Sequence, residues 1–425
     1  MCCLSVTGVL TIAVLLVTVV FLIWRLSNVN EGIAAAVGAV AVLLLGTATP
    51  ADVWRGTVNT AGVLVFLLAM MVVAIIAEDA GCFDWAAGRA VALSRGNGYL
   101  LFLNLYLLGA LVTVFLSLDV TAIIIAPVVC SLVQRARLSP LPFVMACAFV
   151  ANTASLFLPI SNLTNMLVYS LLEIPFWTFV RLLTLPNLAA MAVNLVVFFV
   201  LFRREIPARF TAPAVDRSDS DSTHLMVTGL ALGGVVVGLV VFGALDLPLY
   251  VPAVLGALVL TPLALARQRL PASRLLRGVA WPLPFFVIGM YTIVVAANRV
   301  GLSQVWGGLF ASSRGQQSLA NLLGVAFGTA VGSNLFNNIP MSLVVITGLL
   351  PSRGPAGIAP AFASLVGTNV GSNVTVFGSL ATMLVLYAAR RYDIRVSAFQ
   401  FLKIGLLTTP LMILASTTVL WLQLR

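Results

Sequence analysis

Twelve apolar stretches, near residues 7–24, 32–48, 61–78, 100–134, 141–171, 176–202, 225–245, 251–266, 281–297, 318–350, 359–389 and 397–422, take up most of this chain. Crossing about 30 Å of hydrocarbon takes roughly 20 apolar residues. Stretches of that length and number predict an all-α polytopic membrane protein. The composition agrees, with 61% hydrophobic and 8% charged residues, where soluble domains have about 45–50% and about 25%. An ordinary soluble enzyme, a disordered chain and a nucleic-acid binder are thereby excluded. The net charge of +10 is read as a topology signal rather than as polyanion binding.

Residues 7–24 lack a basic flank and a small-residue cleavage site, so they read as a retained first span and not a signal peptide. The segment 203–224 is the one long polar stretch and reads as a solvated linker that includes the lone His224. FDWAAGRAVALSRGNG (83–98) has the pattern of an interfacial helix, with a counterpart expected near 303–315.

The chain is predicted to be two repeats, 1–202 and 225–425. FLLAMMVVAIIAEDAG (66–81) aligns without gaps on FVIGMYTIVVAANRVG (286–301), an offset of 286 − 66 = 220. ANTASLFLPISNLTNMLV (151–168) aligns on TNVGSNVTVFGSLATMLV (368–385), an offset of 369 − 152 = 217. Matching Asn, Ser and Gly at near-constant offset is hard to reach by chance, and membrane transporters are built from such repeats. The stretches 100–134 and 318–350 are too long for one span and carry polar centres, so they read as re-entrant hairpins. The stretches 141–171 and 359–389 read as spans broken at mid-membrane, since irregular backbone at that depth survives only where protein or a water-filled cavity surrounds it. Each repeat then crosses five times, and an odd count inverts the second relative to the first. On that topology Arg55, Arg181, Arg299, Arg314, Arg353 and Arg425 fall on one side and the other sixteen arginines on the opposite side. Cytoplasmic loops collect Lys and Arg, so the linker is expected inside and both termini outside.

Twelve of the thirteen acidic residues read as loop or span-end residues, Glu31 among them, which leaves Asp119 alone at depth. A carboxylate inside the membrane is a functional hypothesis by default: Asp119 is either a proton carrier or the cap of the second hairpin arm, accepting from Thr121 or Ala122. Its counterpart at the second tip is taken as Asn338. The candidate substrate residues are the polar groups at the tips and breaks. They are Thr121, Asn152, Ser155, Ser161, Asn162, Thr164 and Asn165 in the first repeat, and Asn334, Asn337, Asn338, Asn369, Ser372, Asn373, Thr375 and Ser379 in the second. Neutral amides and hydroxyls both donate and accept. They suit an uncharged polyhydroxyl solute or a cation, and the lack of Lys or Arg in the breaks disfavours a strongly anionic one. The alternative is that these groups only satisfy one another and the broken backbone.

Cys2, Cys3, Cys82, Cys130 and Cys147 show neither disulfide nor metal spacing, and Cys130 and Cys147 read as small buried hydrophobes. Neither a resident metal nor a cofactor is expected. With its one His in the linker and no deep carboxylate pair, the chain lacks the groups of a membrane-embedded enzyme.

The strings SLDVTAIIIAPVV, FVANTASLFLPISNLTNMLV, VGSNLFNNIPMSLVV and GTNVGSNVTVFGSLATMLV resemble the arsenical pump membrane proteins, the arsenite/antimonite efflux permeases of a broad ion-transporter superfamily. The resemblance runs from about residue 61 to the C-terminus. It departs at Leu118, where many relatives carry Asn before the hairpin Asp. It implies an elevator-type fold, with scaffold spans in 1–98 and 225–316 and transport elements in 99–202 and 317–425. It also implies a cell-membrane location and export of neutral arsenous acid against protons, with Asp119 as the coupling group. A separate soluble ATPase subunit is the other energy source it implies; this chain itself carries no Gly-rich phosphate loop with Lys. The runner-up is a sodium/proton antiporter or a sodium-coupled anion carrier of the same superfamily.

With the linker inside, a cysteine placed at Ser220 should resist an impermeant maleimide in intact cells and react after permeabilisation. Labelling of intact cells at that position would overturn the assigned sidedness.

Overall fold

A computed structural model of the chain describes residues 6–24, 30–211, 222–266, 270–302, 318–349 and 355–425. Among the described residues all regular structure is helical. The first half contains α1 (Val6–Trp24), α2 (Glu31–Leu44), α3 (Pro50–Asp79), α4 (Cys82–Ser94), α5 (Gly98–Phe115), α6 (Leu118–Arg135), α7 (Pro140–Ala154), α8 (Leu163–Leu171) and α9 (Phe176–Phe202). The second contains α10 (Ser222–Ala244), α11 (Tyr250–Ala266), α12 (Ala272–Gly278), α13 (Pro282–Arg299), α14 (Leu319–Phe336), α15 (Asn338–Leu349), α16 (Pro355–Leu365), α17 (Leu380–Arg391) and α18 (Ala398–Gln423). Several of these helices are long and apolar enough to cross a bilayer, and the chain is a multi-pass membrane protein.

Local chemistry sets where helices begin. Asn30 accepts from the Gly32 N–H at 3.0 Å to start α2, and Asn97 accepts from Tyr99 at 2.9 Å to start α5. At α3 the Asp52 carboxylate accepts from the Thr49 N–H and hydroxyl, both at 2.7 Å, with Pro50 at the first helical position. A helix apolar all round belongs in a core or in lipid, and both cases occur. Every residue of α7 from Pro142 to Ala154 is buried. The Phe149 ring lies 4.9 Å from Phe198 of α9 and 5.5 Å from Phe401 of α18. By contrast α10 exposes Met226, Leu230 and Val237, as a lipid-facing helix would.

Two ion pairs orient the helices. Arg299, at the end of α13, donates twice at 2.7 Å to Asp52 near the start of α3. Arg274 of α12, just before α13, pairs at 3.1 Å with Asp79 at the end of α3. The helices α3 and α13 therefore run antiparallel. The partner seam, α2 on α13, is parallel and tight: a Cβ on Gly32 would meet Pro282 O at 2.4 Å, and one on Gly289 would meet Ala35 O at 2.6 Å.

The α5–α6 pair begins and ends beside the same segment. Phe210 donates to Gly96 O at 2.9 Å, the Tyr99 hydroxyl to Arg203 O at 3.0 Å, and Ser139 to the Glu205 carboxylate at 3.1 Å. Gln134, at the end of α6, donates to Tyr392 O just beyond α17. The segment 83–98 is helical over most of its length as α4, where Arg89 lies over the exposed Trp85 ring at 5.9 Å.

His224 departs from expectation. Instead of lying solvated in the linker it is buried in α10, because that helix starts at Ser222, before the apolar run itself. Cys2, Cys3, the linker core 212–221 and the helix expected near 303–315 lie outside the described residues.

Asp52→Ala removes two charge-assisted bonds, each class worth about 1.5–3 kcal/mol when buried, together with a cap worth about 1 kcal/mol. Because Arg299 is half exposed, a net loss of about 2 kcal/mol is expected, read as a lower thermal midpoint in detergent. Asp52→Asn keeps the cap and should lose less; midpoints equal to wild type for both variants would remove the bridge as a determinant of the α3–α13 corner.

Candidate functional site

The two polar windows depart from α-helical geometry. In the first, α7 stops at Ala154, a 3₁₀ turn covers Pro159–Ser161, and α8 restarts at Leu163. Pro159 offers no N–H and cannot continue a helix. In the second, α16 ends at Leu365, a π turn covers Val366–Val370, a 3₁₀ turn covers Gly371–Asn373, and α17 restarts at Leu380. Both restarts are capped alike. Asn162 accepts from Thr164 N–H at 3.1 Å, and Ser379, 217 residues on, accepts from Ala381 N–H at 3.2 Å.

Buried amides then bond across the two windows. Asn152 donates to Asn373 Oδ1 at 3.0 Å and to Thr382 Oγ1 at 2.8 Å. Asn369, the repeat position of Asn152, donates to Asn165 Oδ1 at 2.6 Å and accepts from Asn162 at 2.7 Å and Thr164 at 2.8 Å. Asn373 donates to Thr153 Oγ1 at 3.1 Å, and Asn165 donates to Ser155 O at 2.6 Å and Leu158 O at 2.9 Å. The hydroxyls of Ser155, Ser161 and Ser372 go to backbone carbonyls, those of Asn152, Val114 and Asn369 respectively. Thr121 is held inside the first hairpin by Thr113 at 2.8 Å.

The second tip is stitched to the second break. Asn334 accepts from Thr375 N–H at 2.8 Å and its hydroxyl at 2.9 Å, and donates to Gly371 O at 2.8 Å. Asn337 donates to Phe377 O at 3.3 Å, and the Asn338 N–H donates to Gly378 O at 3.1 Å. Asn337 itself sits at φ 75°, ψ 155°, a region that costs a non-glycine residue on the order of 1–3 kcal/mol.

Asp119 is not a cap. Ser117 fills that place, its hydroxyl accepting from Val120 N–H at 3.3 Å, and among the described residues nothing donates to the Asp119 carboxylate. The equivalence of Asp119 with Asn338 is also corrected. The Ser117 carbonyl accepts from Thr121 N–H as the Asn337 carbonyl accepts from Met341 N–H. With 337 − 117 = 220, Asn338 stands opposite Leu118, and Asp119 opposite Ile339.

A cavity of about 130 Å³ opens between the tips, the restarts of α8 and α17, and the starts of α2 and α13. Of the predicted residues only Asp119, Asn162, Asn338 and Ser379 line it, with Leu118, Ile339 and Met71 as apolar wall. The remaining amides and hydroxyls are engaged in the lattice behind it. Glu31 also lines the cavity. It reads as a loop residue in the sequence because it opens a span; the shortness of α2 is the signal that would have found it. No Lys or Arg lies in the lining, and among the described residues no cluster of metal-binding side chains occurs. Cys130 and Cys147 are buried away from it.

Residues 19–367 match the citrate transporter family (CitMHS). The arsenical pump membrane protein of Escherichia coli strain K12 is 30% identical over 412 residues, covering 93% of this chain and 94% of that protein. A putative arsenical pump membrane protein of Bacillus subtilis is 25% identical, covering 95% and 97%. In fold the chain is similar to the YdaH transporter of Alcanivorax borkumensis, with a TM-score of 0.61 at 14% identity and 98% of both chains covered.

Asn369→Ala leaves the Thr164 hydroxyl and Asn165 Oδ1 unpaired in the core, each at about 1–3 kcal/mol. A loss of at least about 2 kcal/mol is expected, against less than about 1 kcal/mol for Ser372→Ala, whose hydroxyl returns to its own helix. Similar thermal midpoints for the two variants would contradict the lattice as a stabilising unit.

Proposed function

The chain belongs to the citrate transporter family and to its arsenical pump membrane proteins, and from that premise we propose that it is a secondary active transporter exporting arsenite and antimonite as neutral trihydroxides in exchange for protons. The observation that carries this reading is the cavity between the two tips, which is acceptor-lined, lacks a cationic side chain and measures about 130 Å³. That volume accommodates several water-sized groups, enough for a small solute such as arsenous acid. Two carboxylates in its wall would repel an anion and accept from the O–H groups of an uncharged solute.

Asp119 is the coupling group in this reading. Ionised, it accepts an O–H of the solute in a charge-assisted bond; protonated, it keeps only a weaker carbonyl acceptor and turns its other oxygen into a donor. Proton and solute therefore weaken one another at Asp119, which is what exchange requires. Two inverted repeats are supported by the antiparallel α3 and α13, and a re-entrant first hairpin by the shared location of both its ends. The elements α5–α9 and α14–α18 act as the moving part, sliding against the seam of α2, α3, α11 and α13 in an elevator motion. The arginine asymmetry places both termini outside the cell membrane and the 203–224 linker inside.

One observation favours a second reading. Glu31 joins Asp119 in the cavity wall, and a pair of carboxylates is what a sodium/proton antiporter needs. Expression in an arsenite-sensitive host separates the two: arsenite and antimonite resistance is expected, with sodium and lithium tolerance unchanged. Salt tolerance without metalloid resistance would replace the first reading with the second.

In inverted vesicles Asp119→Asn should retain arsenite exchange and lose accumulation driven by a pH gradient. Full gradient-driven uptake by that variant would remove Asp119 as proton carrier and assign the energy to a partner such as a soluble ATPase subunit.

A further inference from the structure

Glu31 stands at the head of α2, whose 14 residues rise about 21 Å at 1.5 Å per residue. The close approach of Gly32 to Pro282, whose carbonyl oxygen stands 2.4 Å from where a Cβ on Gly32 would lie, fixes the head of α2 on the head of α13. Glu31 is half-buried there and lines the cavity between the tips. Among the described residues no hydrogen bond or ion pair engages its carboxylate.

The cavity it lines has a second unengaged group. Asn338 is 3% exposed, lines the same cavity, and no hydrogen bond engages its side chain; its Oδ1 is sealed off, so the amide NH2 is the group turned to the cavity. A nearly buried amide without a partner calls for one from a ligand. With Asp119 the cavity then presents two carboxylate acceptors and one amide donor, on the two hairpin tips and the α2 head. The Asn162 amide is spent on Asn369 and Ser155, while the Ser379 hydroxyl accepts from Ala381 N–H and keeps its own O–H.

We propose that Glu31 is a substrate-binding residue contributed by the α2–α13 seam, accepting with Asp119 from two O–H groups of a pyramidal metalloid trihydroxide whose third oxygen takes a hydrogen bond from the Asn338 amide. This rests on the metalloid reading above. It adds that the site is whole only while the tips lie beside the head of α2. Moving the tips away removes one of three bonds, so the solute is gripped at one end of the motion and loosened at the other. It also explains selectivity: a tetrahedral oxyanion brings fewer O–H donors and its own negative charge to two carboxylates.

The test is equilibrium binding of arsenous acid to the purified full-length protein in detergent, by calorimetry, for wild type, Glu31→Ala and Glu31→Gln, with the ligand-free thermal midpoint as the folding control. Losing a hydrogen bond to a charged group should weaken binding about tenfold or more in Glu31→Ala. Glu31→Gln keeps the size and one acceptor oxygen and should fall between the two. A wild-type dissociation constant in whichever variants keep the wild-type midpoint would overturn the role of Glu31 and leave the metalloid reading standing. Absence of arsenous acid binding by the wild type would instead overturn the metalloid reading, and this site with it.

Discussion

A helix that stops inside a packed core leaves up to four carbonyls and four N–H groups without partners, and buried backbone groups must find them. The structure depends on how this chain meets that demand twice. Each break is closed partly by its own caps, Asn162 and Ser379, and partly by amides of the other half. Asn152 reaching Thr382 and Asn369 reaching Asn165 are the same contact made in both directions. Neither break is satisfied alone, so the two halves of the chain are obliged to meet there. The buried α7 and its aromatic contacts to α9 and α18 supply the apolar packing around that junction.

Saturation of the lattice has a functional consequence. A residue whose donors and acceptors are already used cannot also grip a solute without first breaking a bond, and most of the break residues are in that condition. Of the groups that line the cavity, those without a partner stand at the tips and at the α2 head: Asp119, the Asn338 amide and Glu31. Rigidity and recognition are thus divided between neighbouring sets of residues. The strained Asn337, pinned to Phe377 and flanked by the Asn338–Gly378 bond, ties the second tip to the break.

The opposing body is organised by charge at its corners and by glycine at its centre. Asp52 with Arg299 and Asp79 with Arg274 clamp the two ends of α3 against the α12–α13 unit, while Gly32 and Gly289 let α2 and α13 approach backbone to backbone. A seam closed in this way packs α2, α3 and α13 as one unit.

Much of this was legible in the amino-acid sequence. Hydropathy length alone determined the spans, because hydrocarbon thickness admits few solutions. The positions of the breaks followed from polar residues such as Asn152 and Asn369 in stretches too long for one crossing, and the α-helices are interrupted there. What the sequence could not decide was which polar groups are spent on one another, because a bond between Asn369 and Asn165 spans 204 residues and leaves no local pattern. It could not distinguish Ser117 from Asp119 as the cap, since both have capping side chains and backbone geometry chooses between them. His224 was misplaced because helices extend past their apolar run, and Glu31 because a residue at the head of a span looks like a loop residue until the packing of α2 on α13 sets it in the cavity wall. Sequence determined what must be buried; tertiary structure decided which buried groups remain free to bind.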